Sequence, residues 1–444
     1  IGGSTGDNLT PLDVVKFASA YGMWLKSRTT GSLKVVVGRD ARISGAMVQD
    51  LVQASLQALG IDVVDLGLST TPTVEVAVPM ESANGGVVLT ASHNPKQWNA
   101  LKLLNEKGEF VSAEDGAIIL DIAENEAFDF AQVDDLGGVE KKDYLQKHID
   151  AVLALSTVDV GLVKTANFKV VVDAVNSTGG IYLPALLRQM GVDVVELYCE
   201  PNGHFPHNPE PLPEHLYDLC SKVIETKADL GFVVDPDVDR LAIVSEDGSL
   251  FGEEYTLVAV ADHVLKTKKG NTVSNLSSTR ALRDVTEVHG FTYHASAVGE
   301  VNVVTKMKEV DAPIGGEGNG GIIYPELHYG RDSLVGVALF LTHLAQSKMT
   351  CSALRKTYKD YFMSKQKIQL TPEINVDAIL LTMADKYKSE DVDCTDGVKI
   401  NFDEEWVHLR KSNTEPIIRV YTESVSAEKA NSLVQRFMKE INEL

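Results

Sequence analysis

The sequence predicts an α/β protein: three consecutive similar α/β domains with mixed, mainly parallel sheets, then a smaller C-terminal α+β domain, around a central cleft. Three observations predict it. The chain has 444 residues, about three times the ~150 of an ordinary domain. A unit of apolar strand, polar loop, amphipathic helix, glycine and second strand recurs three times. From about Lys365 the recurrence gives way to consecutive short strands flanked by helices, the pattern of a separate α+β unit.

In the first unit the strand Leu33-Lys34-Val35-Val36-Val37 runs into Gly38-Arg39-Asp40. A helix over about 45–59, Gly60 and a strand over 61–66 follow. The second has a strand over 168–173, a helix over 179–190, Gly191 and a strand over 192–197. The third, fainter, has a strand over 272–275, a helix over about 279–289, Gly290 and a strand over 291–294. Glycine after each helix is the usual C-terminal stop. Strands alternating with helices of this length predict parallel sheets covered on both faces, and the threefold recurrence predicts an internal triplication. The last unit reads as a strand from Lys365, a helix over 376–388, strands over 398–402, 406–410 and 417–422, and a helix from Ala427. The expected domains are residues 1–152, 153–252, 253–364 and 365–444.

Composition narrows the function. Hydrophobic residues make up 44% and charged residues 23%, enough to build real cores. No apolar run approaches the roughly 20 residues of a membrane span, and the first residues carry no basic-then-apolar signal pattern. Cys199, Cys220, Cys351 and Cys394 lie far apart with no CxxC pair, which predicts free thiols in a reducing compartment, the cytoplasm. A net charge of −22 argues against nucleic acid or an anionic membrane as partner. An anionic ligand would need local arginines. Arg39, Arg42, Arg240, Arg331, Arg410 and Arg419 each stand beside a polar or Gly-rich turn; Arg42 reads best as a solvated surface residue.

Four polar loops carry the chemistry. Thr90-Ala91-Ser92-His93-Asn94-Pro95 follows the apolar Gly86-Val87-Val88-Leu89 and offers Ser92 at the carboxyl end of a strand, where open α/β sheets place ligands. Ser92 is the candidate nucleophile, although the hexapeptide alone would pass for an ordinary turn. Asp235-Pro236-Asp237-Val238-Asp239-Arg240 sets three carboxylates two residues apart, able to converge on one Mg²⁺ together with phosphate oxygens, with Arg240 facing that phosphate from the other side. Asp235, Asp237, Asp239 and Glu246 also match positions of a calcium-binding EF-hand loop. That reading fails because Arg240 replaces its obligatory glycine and strands replace its flanking helices.

Gly316-Glu317-Gly318-Asn319-Gly320-Gly321 fits G-x-G-x-x-G, yet a dinucleotide fingerprint must open a helix. Here Ile322-Ile323-Tyr324-Pro325 follows, and Glu317 would repel a pyrophosphate. Glu317 and Asn319 suit the vicinal hydroxyls of a sugar; a ligand-free glycine turn is an equal reading of this stretch alone. Arg410-Lys411-Ser412-Asn413-Thr414-Glu415-Pro416-Ile417-Ile418-Arg419 puts a basic residue at each end of a turn rich in small donors, a clamp for a non-transferring phosphate. The histidines of Asn202-Gly203-His204-Phe205-Pro206-His207-Asn208-Pro209 read as part of a rigid turn, not a metal site.

The four loops, in this order and over essentially the whole chain, resemble those of the α-D-phosphohexomutases. The resemblance implies a four-domain isomerase with a phosphoserine at Ser92 and one Mg²⁺ held by Asp235, Asp237, Asp239 and the serine phosphate. It implies a phosphorylated hexose substrate, a hexose 1,6-bisphosphate as intermediate and primer, and a monomer or homodimer. Arg240 takes a catalytic role. Glu317 and Asn319 match the sugar-binding loop, Arg331 joins the substrate site, and Arg410, Ser412, Asn413, Thr414 and Arg419 match the phosphate-binding loop. Lys102, in Asn99-Ala100-Leu101-Lys102, matches a lysine proposed as general acid or base. Two departures stand out. Many relatives carry a histidine at the position of Gly321, for which His328 is the candidate replacement here. The family's first loop, with a serine and an arginine, falls upstream of Ile1. Within the family, the glycine-rich loop, Tyr329-Gly330-Arg331-Asp332-Ser333 and the Val298-Gly299-Glu300 turn look most like phosphoglucosamine mutases, which convert glucosamine 6-phosphate to glucosamine 1-phosphate. A phosphoglucomutase/phosphomannomutase is the alternative, and a phosphoserine-type sugar phosphatase a more distant one.

Overall fold

A computed structural model of the chain describes residues 1–369, 375–411 and 417–443. The first domain builds a six-stranded sheet from β1 (Gly2–Ser4), β2 (Leu33–Arg39), β3 (Ile61–Leu68), β4 (Gly85–Leu89), β5 (Trp98–Leu104) and β6 (Val139–Lys141) in the order β1-β5-β4-β2-β3-β6. The second uses β7 (Lys169–Asp173), β8 (Asp193–Leu197), β9 (Leu230–Val234) and β10 (Leu241–Ser245) in the order β10-β9-β7-β8. The third uses β11 (Thr272–Asn275), β12 (Tyr293–Ser296), β13 (Ile314–Glu317) and β14 (Gly321–Ile323) in the order β12-β11-β13-β14.

Read from the same end, the three sheets share one plan. The first two strands of each unit and the third pair in parallel, and the fourth turns back antiparallel to the third. The parallel strands are rich in valine and isoleucine because helices cover both their faces. β4 and β9 are buried at every residue. The antiparallel return makes the loop after the third strand a hairpin, and in all three units that hairpin carries a polar motif. Ser92 lies between β4 and β5, the aspartates between β9 and β10, and Gly318-Asn319-Gly320 between β13 and β14. The triplication thus extends beyond the recurring pattern to the placement of three of the four loops.

The helices that open each unit, Gly45–Ala58, Gly179–Gln189 and Ala281–Val288, occupy the expected stretches. Gly60, Gly191 and Gly290 follow at φ of +77°, +77° and +79°, a left-handed conformation that glycine adopts without a side-chain clash. Helix Ser333–Ser347 is buried from Ser333 through Ala345. It packs on helix Val160–Ala166 of the second domain and helix Glu253–Leu265 of the third, so those two domains share one apolar core. Each fully buried Leu or Phe in that helix contributes about 1.5–3 kcal/mol.

The last domain is antiparallel throughout: β15 (Phe362–Gln369), β16 (Asp391–Asp393), β17 (Val398–Asn401), β18 (Trp406–Lys411) and β19 (Ile417–Ser424) in the order β15-β19-β18-β17-β16. Ile400, Val407, Leu409, Ile418 and Val420 pack with Leu433, Val434 and Phe437 of helix Ala427–Asn442. The alternate residues Lys399, Trp406, His408 and Arg410 fall on the opposite face, since successive side chains on a strand alternate. β1, β6 and β16, each of three residues, are edge strands too short and polar to show alternation. Among the described residues no helix is long and apolar enough to cross a membrane.

Candidate active site

The metal loop and the serine loop meet across the boundary of the first two domains. Ser92 Oγ donates to Asp235 Oδ2 at 2.9 Å. Asp235, Asp237 and Asp239 are fully buried, and one carboxylate oxygen from each lies within 4.8 Å of the others. Burial and repulsion from Asp239 and Asp237 hold the Asp235 carboxyl well above the usual carboxylate range. For Asp239, burial opposes ionisation, but Arg331, Lys102 and Arg240 outweigh it and keep the carboxyl below its ordinary value. Oδ1 of Asp237 and Oδ1 of Asp239 are buried with no hydrogen-bond partner, and such orphaned oxygens are costly unless something else engages them. Three oxygen donors with unengaged lone pairs fit a hard divalent cation such as Mg²⁺.

The backbone shapes both loops for this meeting. Ser92 and Val238 sit at φ of +49° and +67°, strained conformations for non-glycine residues. The Ser92 strain is held by Thr90, whose Oγ1 accepts from Ser92 N at 2.9 Å and donates to Asp40 Oδ2 at 2.7 Å. Arg42 does more. Its side chain is fully buried, pairs with Asp40 through Nε at 3.0 Å, and donates to the carbonyls of Ser92, Asn94, Pro95 and Trp98. Its guanidinium also stacks on the Phe205 ring at 5.2 Å, so the histidine-bearing turn is packing for the serine loop. The expectation of a solvated Arg42 is therefore corrected. Nothing local in the sequence shows that a loop 50 residues further on will fold over it.

Around the carboxylates stand the basic groups. Lys102, on β5 opposite Val88, donates to Asp237 Oδ2 at 2.6 Å and to Asp239 Oδ2 at 3.1 Å. Burial disfavours its charge, but the two aspartates outweigh that and raise its pKa. In this state Lys102 is a charged counter-ion to the two carboxylates. Arg240 Nη1 lies 3.2 Å from Glu210 Oε1. His93, next to Ser92, is driven down to about 4 by burial and by the Arg240 charge. Arg331 faces three carboxylates at once: Glu300 through Nε at 2.9 Å, Glu317 through Nη1 at 2.9 Å and Asp239 through Nη2 at 2.7 Å.

Glu317 is anchored from the other side by Asn275 Nδ2 at 2.8 Å and Gly299 N at 3.2 Å. Asn319 Oδ1 accepts from Gly321 N at 3.2 Å, which leaves its amide N–H donors for a ligand. The space beside Gly321 is taken by Arg331, whose Cδ a Cβ at position 321 would overlap. His328 has Nε2 3.2 Å from Asp332 and Nδ1 3.4 Å from Glu75, a buried carboxyl whose pKa burial and the Glu300 charge push up. Glu246 accepts from Ser352 at the far end of β10, remote from a calcium-loop role.

Arg410 and Arg419 are register partners on β18 and β19. Like charges directly opposite on neighbouring strands repel, an arrangement that a bound anion relieves. Arg410 Nε lies 2.8 Å from Asp396 Oδ2, which also accepts from Val298 N at 2.9 Å. The strand that carries Arg410 is thereby tied to the turn that carries Glu300. A cavity of about 450 Å³ lined by Lys365, Lys367, Arg419 and Tyr421 continues the basic face. Ser412, Asn413 and Thr414 lie outside the described residues. Sequence reasoning missed Arg42, Glu210 and Glu300 as parts of this assembly. Glu210 gave no local signal, whereas Arg42 stands among the arginines beside polar turns and Glu300 follows Gly299 in the turn noted above.

Comparison with known proteins bears on this geometry directly. The chain matches, in order, the phosphoglucomutase/phosphomannomutase alpha/beta/alpha domains I (residues 1–130), II (residues 146–248) and III (residues 252–361) and the family's C-terminal domain (residues 365–440). It is 35% identical over 444 residues to a phosphoglucomutase/phosphomannomutase of Thermococcus kodakarensis, covering 99% of this chain and 97% of that one. It is 30% identical to a phosphoglucosamine/phosphogalactosamine mutase of Sulfurisphaera tokodaii, covering 98% and 96%. A phosphoglucomutase/phosphomannomutase family protein from Burkholderia thailandensis superposes with a TM-score of 0.87 at 26% identity, covering 99% of this chain and 95% of that one. An N-acetylphosphoglucosamine mutase of Aspergillus fumigatus, solved with GlcNAc-6P and magnesium, shares the fold at a TM-score of 0.57 and 14% identity, covering 92% and 82%. The chain belongs to the phosphoglucomutase/phosphomannomutase family of α-D-phosphohexomutases. It is an isomerase of the phosphohexomutase class.

Proposed function

We propose that the chain interconverts glucosamine 6-phosphate and glucosamine 1-phosphate through a phosphoserine at Ser92. The observation that carries the phosphoserine is Ser92 Oγ at 2.9 Å from Asp235, beside two further buried carboxylates with orphaned oxygens. A phosphoserine adds roughly −1.5 to −2 charges, intolerable against three aspartates without a cation. Asp235, Asp237 and Asp239 would hold Mg²⁺, which when bound neutralises oxygens of the transferring phosphoryl group.

The chain's own residues then divide the work. As the Ser92 Oγ–P bond breaks, the free sugar hydroxyl forms the new P–O bond, and its proton balances the oxygen released at Ser92. The bisphosphate turns over in the cleft and returns its other phosphate by the reverse step. Arg410 and Arg419, with Ser412, Asn413 and Thr414, grip the phosphate that is not in transfer. Glu317 and Asn319 orient the ring hydroxyls. Arg240 and Lys102 supply positive charge at the reacting end. Phosphoryl transfer asks chiefly for such positioning and charge stabilisation.

The glucosamine assignment draws on the Glu300 turn and on the relative that acts on amino-sugar phosphates. The relative named phosphoglucomutase/phosphomannomutase, at 35% identity, supports the second reading. Assaying glucosamine, glucose and mannose 6-phosphates side by side separates them: the fastest turnover is expected with glucosamine, and a rate well below the other two ends that assignment. Intact-mass measurement after incubation with glucose 1,6-bisphosphate should add one phosphoryl group, lost in Ser92→Ala. Stoichiometric release of inorganic phosphate instead would make the chain a phosphatase.

A further inference from the structure

Three carboxylates from separate segments converge on one guanidinium. Asp239 comes from the metal loop, Glu317 from the end of β13, and Glu300 from the first turn of helix Glu300–Glu309. Arg331 itself is 8% exposed, and each of its three nitrogens already donates to one of them. It is therefore poorly placed to be a substrate ligand. Its surroundings are built for it. A side chain at position 321 would occupy the volume of its Cδ, so the glycine there admits the arginine. We propose that Arg331 is a positioning residue that locks the sugar-binding carboxylate of Glu317 to the metal loop, and that Gly321 is the vacancy this lock requires.

The physical reason lies in charge and shape. Without the guanidinium, Asp239, Glu317 and Glu300 would repel one another in a buried site, and burial already pushes Glu300 up to about 7 despite its pair with Arg331. Lysine cannot substitute, because an ammonium is a point charge and lacks the planar fork that reaches three acceptors. With the lock in place, Glu317 presents a fixed face to the sugar. Without it, the loop between β13 and β14 relaxes, and affinity for sugar phosphate falls although no contact to the sugar has been removed.

The proposal rests on the reading of Glu317 as a sugar ligand, and the experiment separates the two. Binding of glucosamine 6-phosphate and, in parallel, glucose 6-phosphate is measured by calorimetry with Mg²⁺ present, in a Ser92→Ala background that stops turnover. Glu317→Ala, Arg331→Ala, Arg331→Lys, Gly321→Ala and the Gly321→Ala/Arg331→Ala pair are compared, with melting temperature as the check on folding. Arg331→Ala and Gly321→Ala are each expected to weaken binding at least tenfold, Arg331→Lys by nearly as much. Adding Gly321→Ala to Arg331→Ala should cost less than twofold more, because the alanine methyl then has room; interacting neighbours depart from additivity in this way. Equal losses from Gly321→Ala in both backgrounds, or binding within twofold of the parent in Arg331→Ala and Arg331→Lys, overturn the lock. If Glu317→Ala binds normally, the sugar-ligand reading falls instead. Should Arg331→Ala fail to fold, Gly321→Ala alone decides in its place, since its methyl meets the Cδ of an intact Arg331: binding within twofold of the parent overturns the steric half and the proposal with it.

Discussion

Ser92 at 2.9 Å from Asp235 makes Ser92→Ala a clean test. The Oγ makes no contact needed by the core, so turnover should vanish while the melting temperature stays within a degree or two, and measurable turnover would remove Ser92 from the mechanism. Asp237→Asn halves the formal charge that Lys102 neutralises and removes an oxygen donor, so the Mg²⁺ concentration for half-maximal activity should rise at least tenfold. An unchanged titration would point the metal elsewhere. Arg42 invites the opposite expectation, for stability. Arg42→Ala leaves Asp40 buried without its cation and takes one donor from each of four carbonyls, and breaking a buried pair in this way costs about 3–5 kcal/mol. Chemical denaturation should show that loss. The meeting of Ser92 with the aspartates had a signal in sequence because the serine and the three carboxylates sit in short motifs with fixed spacing. The burial of Arg42 had none, since its partners are carbonyls and an aspartate gathered from two strands, and burial is invisible in a local stretch.

Secondary-structure elements were legible where periodicity is strong and illegible where an element exists only through its neighbours. The three strand–helix–glycine units could be read directly, because valine-rich strands and a glycine stop recur at matching distances. The antiparallel return strands β5, β10 and β14 were harder: each is defined by pairing with the strand before it, and that pairing decides where the loops point. The dock between the third and fourth domains is likewise a matter of faces. On the face of the last sheet away from its helices, Lys399 Nζ donates to Leu276 O at 2.7 Å and lies over the Trp406 ring at 4.1 Å. Burial pushes its pKa down to about 8, Glu423 opposes, and Arg280 and Arg283 reinforce the fall. The folded chain therefore binds fewer protons than the unfolded one between about pH 8 and 10.5. Stability from this group rises with pH across that window and carries its full penalty below pH 8. The shift corresponds to on the order of 3 kcal/mol. Lys399→Met should raise the melting temperature at pH 7 and flatten the rise between pH 8 and 10; a variant whose pH profile parallels the parent would locate the effect in another group.

At the scale of the whole molecule, the proposed reaction needs four loops from four domains to keep their distances, and the fourth belongs to a domain whose apolar core is its own. Composition pointed to apolar cores and to a need for local positive charge about an anion, and neither says how the last domain is held. The structure shows a pin. Arg280, at the start of helix Ala281–Val288, donates to the carbonyls of Phe402, Asp403 and Glu405 in the turn between β17 and β18, and its backbone N–H donates to Glu423. These bonds join the third domain to the sheet that carries Arg410 and Arg419, while the apolar core of the last domain is its own. Arg280→Ala should accordingly leave every domain folded but loosen their arrangement. Small-angle scattering is expected to show a larger radius of gyration, and the KM for the sugar phosphate should rise several-fold, with the rate of Ser92 phosphorylation by the bisphosphate falling in parallel because both need the distant phosphate held. If scattering and KM match the parent, the shared polar face of Lys399, His408 and Glu423 is sufficient to hold the domain, and Arg280 is one contact among several in a redundant dock.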